Sequence, residues 1–232
     1  MTFTSLASSS RGNCYVAGDS ETAILLECGI SFSRIKKSLG FDLSAIRACL
    51  VSHEHKDHAK SVKEIIQSGV EVFASEGTTG ALGCGLITTV ADRVQFRVGS
   101  LEIMPFATFH DAAEPLGFLV YSRVDGERLV FATDTVNLGY RFPQVNLLAL
   151  EANYDASILA RCERMPEKVR KRVINSHMEI NALCQYLRTL DLSACRTLYL
   201  LHLSNAASSE GNFISRVRQE VPRHVRVIAC EE

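Results

Sequence analysis

A hexapeptide of metal-binding residue types constrains this chain more than any other feature. It reads His-Glu-His-Lys-Asp-His over residues 53–58. Three imidazoles so close together hinder one another's protonation and gain little at a protein surface. The segment before it, Ile46 to Ser52, is short and apolar like a buried strand, and Val62, Ile65 and Ile66 follow at helical spacing. The hexapeptide is therefore predicted on a strand-to-helix loop, where functional side chains often lie.

The spacing within the hexapeptide predicts half of a two-metal site. Alternate residues of an irregular loop point to opposite sides, so His53 and His55 can converge on one ion while Asp57 and His58 face a second. The helical metalloprotease pattern His-Glu-x-x-His is absent. The alternative is a solvated polar loop whose histidines have no function. The His-x-His-x-Asp-His spacing favours the metal site over that alternative.

Length and composition are typical of a globular protein with a large core. The 232 residues are 47% hydrophobic, and no linker, repeat or low-complexity tract divides them. We therefore expect one domain over residues 1–232. Residues 1–10 lack the pattern of a secretory signal, and no apolar run reaches membrane-spanning length, so a soluble, cytoplasmic protein is predicted. The eight cysteines include no Cys-x-x-Cys pair, and disulfides are not expected.

The order of predicted elements favours two mixed sheets. Twelve segments have the pattern of strands: Thr2–Leu6, Cys14–Ala17, Ala23–Glu27, Ala48–Ser52, Val70–Ala74, Val94–Val98, Leu101–Phe106, Gly117–Ser122, Arg128–Thr133, Leu147–Glu151, Thr197–His202 and Val225–Cys230. Six segments have the pattern of helices: Phe32–Leu39, Ala59–Gln67, Asp155–Cys162, Glu167–Arg172, Met178–Thr189 and Ser209–Glu220. A hairpin at Asp125-Gly126 and crossovers elsewhere predict an α/β (α+β) fold, with the sheets face to face and helices outside.

Three further polar residues stand where predicted strands end. His110 follows one strand, Asp134 another, and His202 ends a third. Taken singly, each has an ordinary explanation as a hydrogen-bonded strand-end histidine, a turn residue or a helix cap. Taken together with the hexapeptide, they complete two metal coordination spheres.

The same residues carry a resemblance to a known family. The hexapeptide, a later His, a Thr-Asp pair and a strand-end His, in that order, resemble the metallo-β-lactamase fold superfamily of binuclear hydrolases, which implies an αββα sandwich. Several segments are similar to its YycJ/WalJ-like branch, regarded as DNA exonucleases: residues 6–13, 110–115, 133–135, 150–155 and 201–205.

The resemblance implies two divalent ions, Zn²⁺ or Mn²⁺, with Fe²⁺ as a further candidate. It assigns His53, His55 and His110 to one ion. The other ion takes Asp57, His58 and His202, and Asp134 bridges the two. Such a pair lowers the pKa of bound water and neutralises charge at the attacked centre, which suits a phosphodiester especially well.

Other residues are candidates for catalysis and substrate binding. We expect Asp57, Asp134 and His177 to be catalytic; His177 would hold the scissile phosphate or protonate the leaving oxygen, although packing beside a helix explains it equally well. Four residues are predicted to bind substrate: Asn13, in a predicted loop over residues 8–13, Asn181, and Arg170 and Arg172 in a basic stretch. Each has an ordinary structural alternative as a turn residue or a solvated helix face.

The chain departs from the branch at several positions. Glu27 stands where Asp is usual for orienting a ligand histidine, and the longer side chain requires a backbone adjustment. Tyr154 stands where His is common, and residues 176–181 differ from the usual pattern. These changes concern rate and substrate range more than the metal ligands, which are all present.

Charge leaves three functions open. The formal net charge of -1 provides no global basic field, so contact with DNA would depend on local patches. A DNA phosphodiesterase resembling a 5′ exonuclease is favoured. A hydrolase of a thioester, lactone or cyclic phosphodiester is the second reading, and a noncatalytic metal-binding module is the third. Neither a membrane nor an obligate protein partner is indicated.

Overall fold

Two β-sheets stack against each other in the computed structural model, which describes residues 1–230. The first sheet has the order β1 (Thr2–Ser9), β2 (Gly12–Gly18), β3 (Ala23–Leu26), β4 (Ile46–Leu50), β5 (Glu71–Ala74) and β6 (Thr88–Thr89). Seven strands make the second sheet: β7 (Phe96–Val98), β8 (Leu101–Ala107), β9 (Leu116–Ser122), β10 (Arg128–Ala132), β11 (Leu147–Glu151), β12 (Thr197–Leu201) and β13 (Arg226–Ala229). Strands that are consecutive along the chain are neighbours in this sheet.

Helices cover the outer faces of the two sheets. They are α1 (Phe32–Ser38), α2 (Lys56–Ala59), α3 (Val62–Gln67), α4 (Glu76–Leu82), α5 (Ala156–Arg161), α6 (Glu167–Ser176), α7 (Ile180–Leu187) and α8 (Glu210–Arg218). The predicted αββα sandwich is therefore confirmed. No helix within residues 1–230 combines the length and the apolar character needed to cross a membrane.

Strand alternation sorts the core into three apolar layers. Leu26 and Leu50 of the first sheet face Phe131 of the second in the central layer. Their neighbours Leu25 and Cys49 turn outward and pack with residues of the helices on that side. A third layer joins the second sheet to α7 and α8. Because side chains from both sheets share the central layer, we propose that the chain folds as a single domain.

Strand direction brings several strand ends to one edge of the sandwich. β3, β4 and β5 are parallel in the first sheet, and β10, β11 and β12 are parallel in the second. β8 also runs with β10, because both pair antiparallel with β9. The segments leaving the carboxyl ends of these strands carry the candidate ligands, and such ends are the usual location of sites in open sheets.

The structure corrects several predicted boundaries. Asp57 and His58 belong to the one-turn helix α2 rather than to a loop. The predicted loop at residues 8–13 is a tight connection of Ser10 and Arg11 between β1 and β2. α6 continues to Ser176, α7 begins only at Ile180, and the sequence did not predict α4 or β6. The hairpin around Asp125-Gly126 is confirmed by the antiparallel pairing of β9 and β10.

Gly29 allows the hexapeptide to lie against the first sheet. A Cβ atom at this position would overlap the carbonyl oxygen of Asp57. The neighbouring Cys28 amide donates to the His58 carbonyl at 2.8 Å, and the Gly29 amide donates to the Asn13 carbonyl at 2.8 Å. The site helix α2 is therefore fixed by backbone contacts that leave no room for a side chain.

We predict that Gly29→Ala destabilises the fold, because the methyl group must push α2 away from the sheet. Overpacking of this kind costs about 3 kcal/mol, which corresponds to a fall in Tm of roughly 6 to 12 °C. Gly80→Ala is the matched control, since Gly80 lies in α4 with nothing within 4 Å of its Cβ position. This second change should raise stability by about 0.5 kcal/mol. Thermal unfolding by circular dichroism measures both, and equal Tm values for the two variants would contradict the prediction.

Candidate metal centre

Three residues that follow strand ends direct their side chains into the site from a left-handed backbone. Glu27 follows β3 with φ 66°, Asp134 lies just beyond β10 with φ 42°, and His202 follows β12 with φ 53°. This conformation costs a non-glycine residue about 1 to 2 kcal/mol, and it is concentrated at functional sites. The three side chains are almost completely buried. After each of these three strands, the residue in the strained conformation is therefore the one whose side chain enters the site.

His53, His55 and His110 form the first group of candidate ligands. Nδ1 of His55 lies 3.1 Å from Nε2 of His53 and 3.1 Å from Nε2 of His110. Two ligand nitrogens on one tetrahedral Zn²⁺ are separated by about 3.3 Å. Nδ1 of His53 contacts Ser52 Oγ, and Nδ1 of His110 contacts the Ser176 carbonyl oxygen. A carbonyl accepts only from N–H, so Nε2 of His110 keeps its lone pair for an ion.

Asp57, His58, Asp134 and His202 form the second group, whose candidate ligand atoms all lie within 4.8 Å of one another. The carboxylate of Asp134 stands between the two groups. Its Oδ2 atom is 3.4 Å from Nε2 of His58 and 3.6 Å from Nε2 of His110. Its Oδ1 atom is 2.7 Å from Nδ1 of His202. This position suits a carboxylate that bridges two ions.

Burial and charge divide the histidines into two classes. Burial lowers the pKa of His53 well below its usual range, and His58 nearby adds to this effect. Burial also lowers the pKa of His110. At His58 and His202, burial opposes protonation, but Asp134 outweighs it and raises the pKa of His202 to about 10. His53 and His110 thus present neutral nitrogens, and the second group surrounds a buried anion that attracts cations.

The residues present fit a pair of divalent ions. Within residues 1–230, Nε2 of His202 is buried without a hydrogen-bond partner, and the Nδ1 atoms of His58 and His202 face carboxylates without hydrogen-bond geometry. Burying such atoms without a partner costs about 1 to 3 kcal/mol each. A bound cation would satisfy lone pairs at His202 that no protein donor reaches. We propose the seven residues of the two groups as the metal ligands.

Two buried carboxylates hold the candidate ligands from behind. Oε2 of Glu27 lies 3.5 Å from Nδ1 of His58, and its Oε1 accepts from the Ser52 amide at 3.2 Å. The Glu27 side chain reaches His58 from a left-handed backbone. Glu151 was not among the predicted site residues. Its Oε1 atom lies 2.7 Å from Nδ1 of His177 and 3.4 Å from Nδ1 of His202.

Only a weak sequence pattern indicates Glu151 as a residue of the site. It is an acidic residue at the end of an apolar strand, β11, in the same position as the strand-end residues that were predicted. Its Oε2 atom also accepts from the amides of Thr135 and Met178, at 2.8 and 3.0 Å. Glu151 therefore connects the segment that carries Asp134 to the segment that carries His177.

Asn13 lies inside the site, in β2 rather than in a loop. It is fully buried, and its Nδ2 atom is 3.2 Å from Nε2 of His58. Tyr15 donates to Asn13 Oδ1 at 3.0 Å and is 2.8 Å from Ser8 Oγ. Ser8 Oγ in turn accepts from the His202 amide at 2.9 Å. This chain of contacts runs beneath the second group and connects His58 with His202.

The other predicted residues take different positions. His177 follows the last residue of α6 as its C-cap. The centre of its ring lies 5.1 Å from that of His110 and 5.3 Å from that of His202, so the structure brings His177 to the site. Arg172 pairs with Asp111 at 3.0 Å on the rim. Arg170 is half-buried and donates to the carbonyls of Cys162 and Met165, at 2.9 and 3.3 Å. Asn181 contacts Glu179 and Arg216, at the start of α7.

The fold is that of the metallo-β-lactamase fold proteins, and its His/Asp groups could hold metal ions. A family model described as a beta-lactamase superfamily domain matches residues 22–203, and the chain belongs to this family. The exodeoxyribonuclease YycJ of Bacillus anthracis is 29% identical over 224 residues, covering 87% of this chain and 82% of the relative. The exodeoxyribonuclease WalJ of Streptococcus pneumoniae is 28% identical over 222 residues, covering 86% and 80% respectively. The predicted branch is thereby confirmed.

A solved structure supports the same fold. The metallo-beta-lactamase fold protein YhfI from Bacillus subtilis superposes with a TM-score of 0.72 at 12% sequence identity. The match covers 99% of this chain and 96% of YhfI. At this identity the likeness shows the fold alone.

We predict that Glu27→Gln weakens binding of one ion by about 10- to 100-fold, because the neutral amide no longer stabilises the outer nitrogen of His58. Isothermal titration with Zn²⁺ and with Mn²⁺ measures the change. Glu71→Gln is the control, since Glu71 begins β5 at the opposite edge and its exposed carboxylate accepts from Thr88 Oγ1 at 2.8 Å. Identical affinities of wild type and Glu27→Gln for both ions would refute the assignment.

Proposed function

We propose that this protein is a metal-dependent phosphodiesterase that removes nucleotides from the end of a DNA strand. The observation that carries the proposal is the buried Asp134 carboxylate between two ligand groups. The relatives named as exodeoxyribonucleases add the substrate class. When bound, two divalent ions, Zn²⁺ or Mn²⁺, supply charge neutralisation at phosphate and lower the pKa of water. All eight cysteines are unpaired, and we propose a cytoplasmic location.

Asp57 and His177 are the proposed proton-transfer groups. The Asp57 side chain is 28% exposed, against 3% for Asp134, so the Asp57 carboxylate is the more open of the two to water and substrate. Nδ1 of His177 is occupied by Glu151, which leaves Nε2 for the substrate. Burial opposes protonation of His177, but the Glu151 carboxylate outweighs it and raises the pKa of His177. His177 is thus suited to protonate the leaving oxygen.

The cationic side chains of α6 are the proposed contact for the DNA backbone. Lys168 and Arg172 are exposed and lie four residues apart, on one face of the helix. The Ser176 carbonyl contacts His110, and Arg172 pairs with Asp111, so this helix borders the site. Arg170 also remains a proposed contact, although its Nη2 atom is engaged by carbonyls of its own segment. Asn13, beneath His58, and Asn181, at the start of α7, are proposed to align the strand.

We predict metal-dependent removal of nucleotides from end-labelled DNA. Purified protein with Mn²⁺ or Zn²⁺ should shorten the strand, and Asp134→Asn should reduce the rate by at least about 1000-fold, because the neutral amide cannot serve two cations. Product length on denaturing gels is the measurement. Intact DNA combined with turnover of a thioester or lactone would instead support a small-molecule hydrolase. Metal binding without turnover of any of these compounds would support a noncatalytic module.

We predict a second effect, on the salt dependence of DNA binding. Lys168→Gln and Arg172→Gln should each reduce the slope of log affinity against log salt by about one, because each removes one phosphate contact. Fluorescence anisotropy with a phosphorothioate oligonucleotide measures the slope. Arg47→Gln is the control, since Arg47 is exposed near the start of β4, at the edge opposite the site. A slope that changes only in the Arg47 variant would exclude α6 as the contact.

A further inference from the structure

An exposed aromatic ring stands directly beside a proposed metal ligand. Phe109 is 57% exposed and immediately precedes His110. Consecutive Cα atoms lie about 3.8 Å apart, so the ring originates within one residue of the site. Other large exposed apolar residues, such as Phe41 and Val94, lie in segments that carry none of the proposed ligands. A ring exposed at this position contributes little to the core, and its place beside the proposed ligands leaves it available to a partner from solution.

The backbone of Phe109 is fixed to the segment that carries Asp134. The Phe109 amide donates to Thr135 Oγ1 at 3.0 Å, and its carbonyl accepts from the Val136 amide at 3.0 Å. Thr135 itself donates its amide to Glu151 at 2.8 Å. The ring is therefore presented from an anchored part of the rim, at a constant distance from the proposed metal centre.

The chemistry of the rim indicates what this ring binds. Two residues further on, Asp111 pairs with Arg172 of α6 at 3.0 Å, so the aromatic ring and the cationic helix share one rim. A nucleotide offers the matching pair of groups, a phosphate for the cations and a flat base for the ring. Every base has a π-face, and stacking on an aromatic side chain is tolerant of sequence.

We propose that Phe109 stacks on the nucleobase next to the scissile phosphodiester and so positions the strand end at the metal centre. This inference rests on the proposed function and assigns Phe109 as a positioning residue. The stacked base must leave its neighbours at the strand end, so a frayed or unpaired end should bind more readily than a closed one. The contact requires no particular base, as expected for an enzyme that removes nucleotides in succession.

Steady-state kinetics on paired substrates test this proposal. One oligonucleotide has a normal terminal nucleotide, and the other has a tetrahydrofuran abasic residue there. Phe109→Ala should raise KM for the normal oligonucleotide by about 10- to 100-fold and change kcat less than about twofold. It should leave KM for the abasic oligonucleotide unchanged. Phe109→Tyr should restore the wild-type KM, whereas Phe109→Leu, which is apolar but not aromatic, should not.

The control and a binding measurement separate this proposal from the proposed function. Phe41→Ala removes an equally exposed ring, 72% exposed, beyond α1 and should behave as wild type. Anisotropy with the two oligonucleotides as phosphorothioates reports binding without turnover.

The outcomes of these experiments are distinguishable. If Phe109→Ala weakens binding of the normal oligonucleotide but wild type cleaves no DNA, the stacking proposal is supported and the proposed nuclease function is wrong. If DNA is cleaved while Phe109→Leu equals wild type, or the abasic end is handled as well as the normal end, stacking is overturned. Absence of both binding and cleavage would overturn both proposals.

Discussion

The structure of the site depends on one buried carboxylate placed between two groups of histidines. Asp134 is 2% exposed, and its two oxygens face His58 and His110 on one side and His202 on the other. An isolated carboxylate at this depth is costly unless cations or donors compensate it. Burial opposes its ionisation, but His202 and His58 hold its pKa well below the usual range. A buried negative charge among imidazole nitrogens is the arrangement that divalent cations stabilise.

The residues that build the site around that carboxylate adopt unfavourable backbone conformations. Glu27, Asp134 and His202 are all in the left-handed region, each just after a strand that packs in the central core. The extensive apolar contacts of both sheets compensate for the strain, as expected where function conflicts with local preference. Gly29 has a related role, because its missing side chain lets α2 approach the sheet. The fold therefore serves to hold polar groups in conformations that they would not adopt alone.

The sequence predicted the members of the site better than their surroundings. The hexapeptide was predicted from residue types and spacing, and Asp134 and His202 were added because they stand at strand ends and complete its ligand set. The structure brings these residues together, because strand direction gathers such strand ends at one edge. Glu151 was missed because a strand-end carboxylate has many ordinary explanations. The polar residues at 8–13 were predicted as a loop, yet Ser8 and Asn13 are buried, because Tyr15 and the ligand segments satisfy their hydrogen bonds. Such long-range partners leave no periodic pattern in the sequence.

We propose that separate parts of one rim have separate tasks: the ligand groups hold two ions, α6 contacts phosphate and Phe109 stacks on a base. All of these tasks depend on the proposed role of Asp134, which is to join the two ions. Anomalous diffraction at the Mn and Zn absorption edges, from crystals grown with each ion, tests this claim most directly. We predict two peaks, one among His53, His55 and His110 and one beside Asp57, His58 and His202, with an oxygen of Asp134 bonded to both. A single peak, or two peaks without Asp134 between them, would contradict the account.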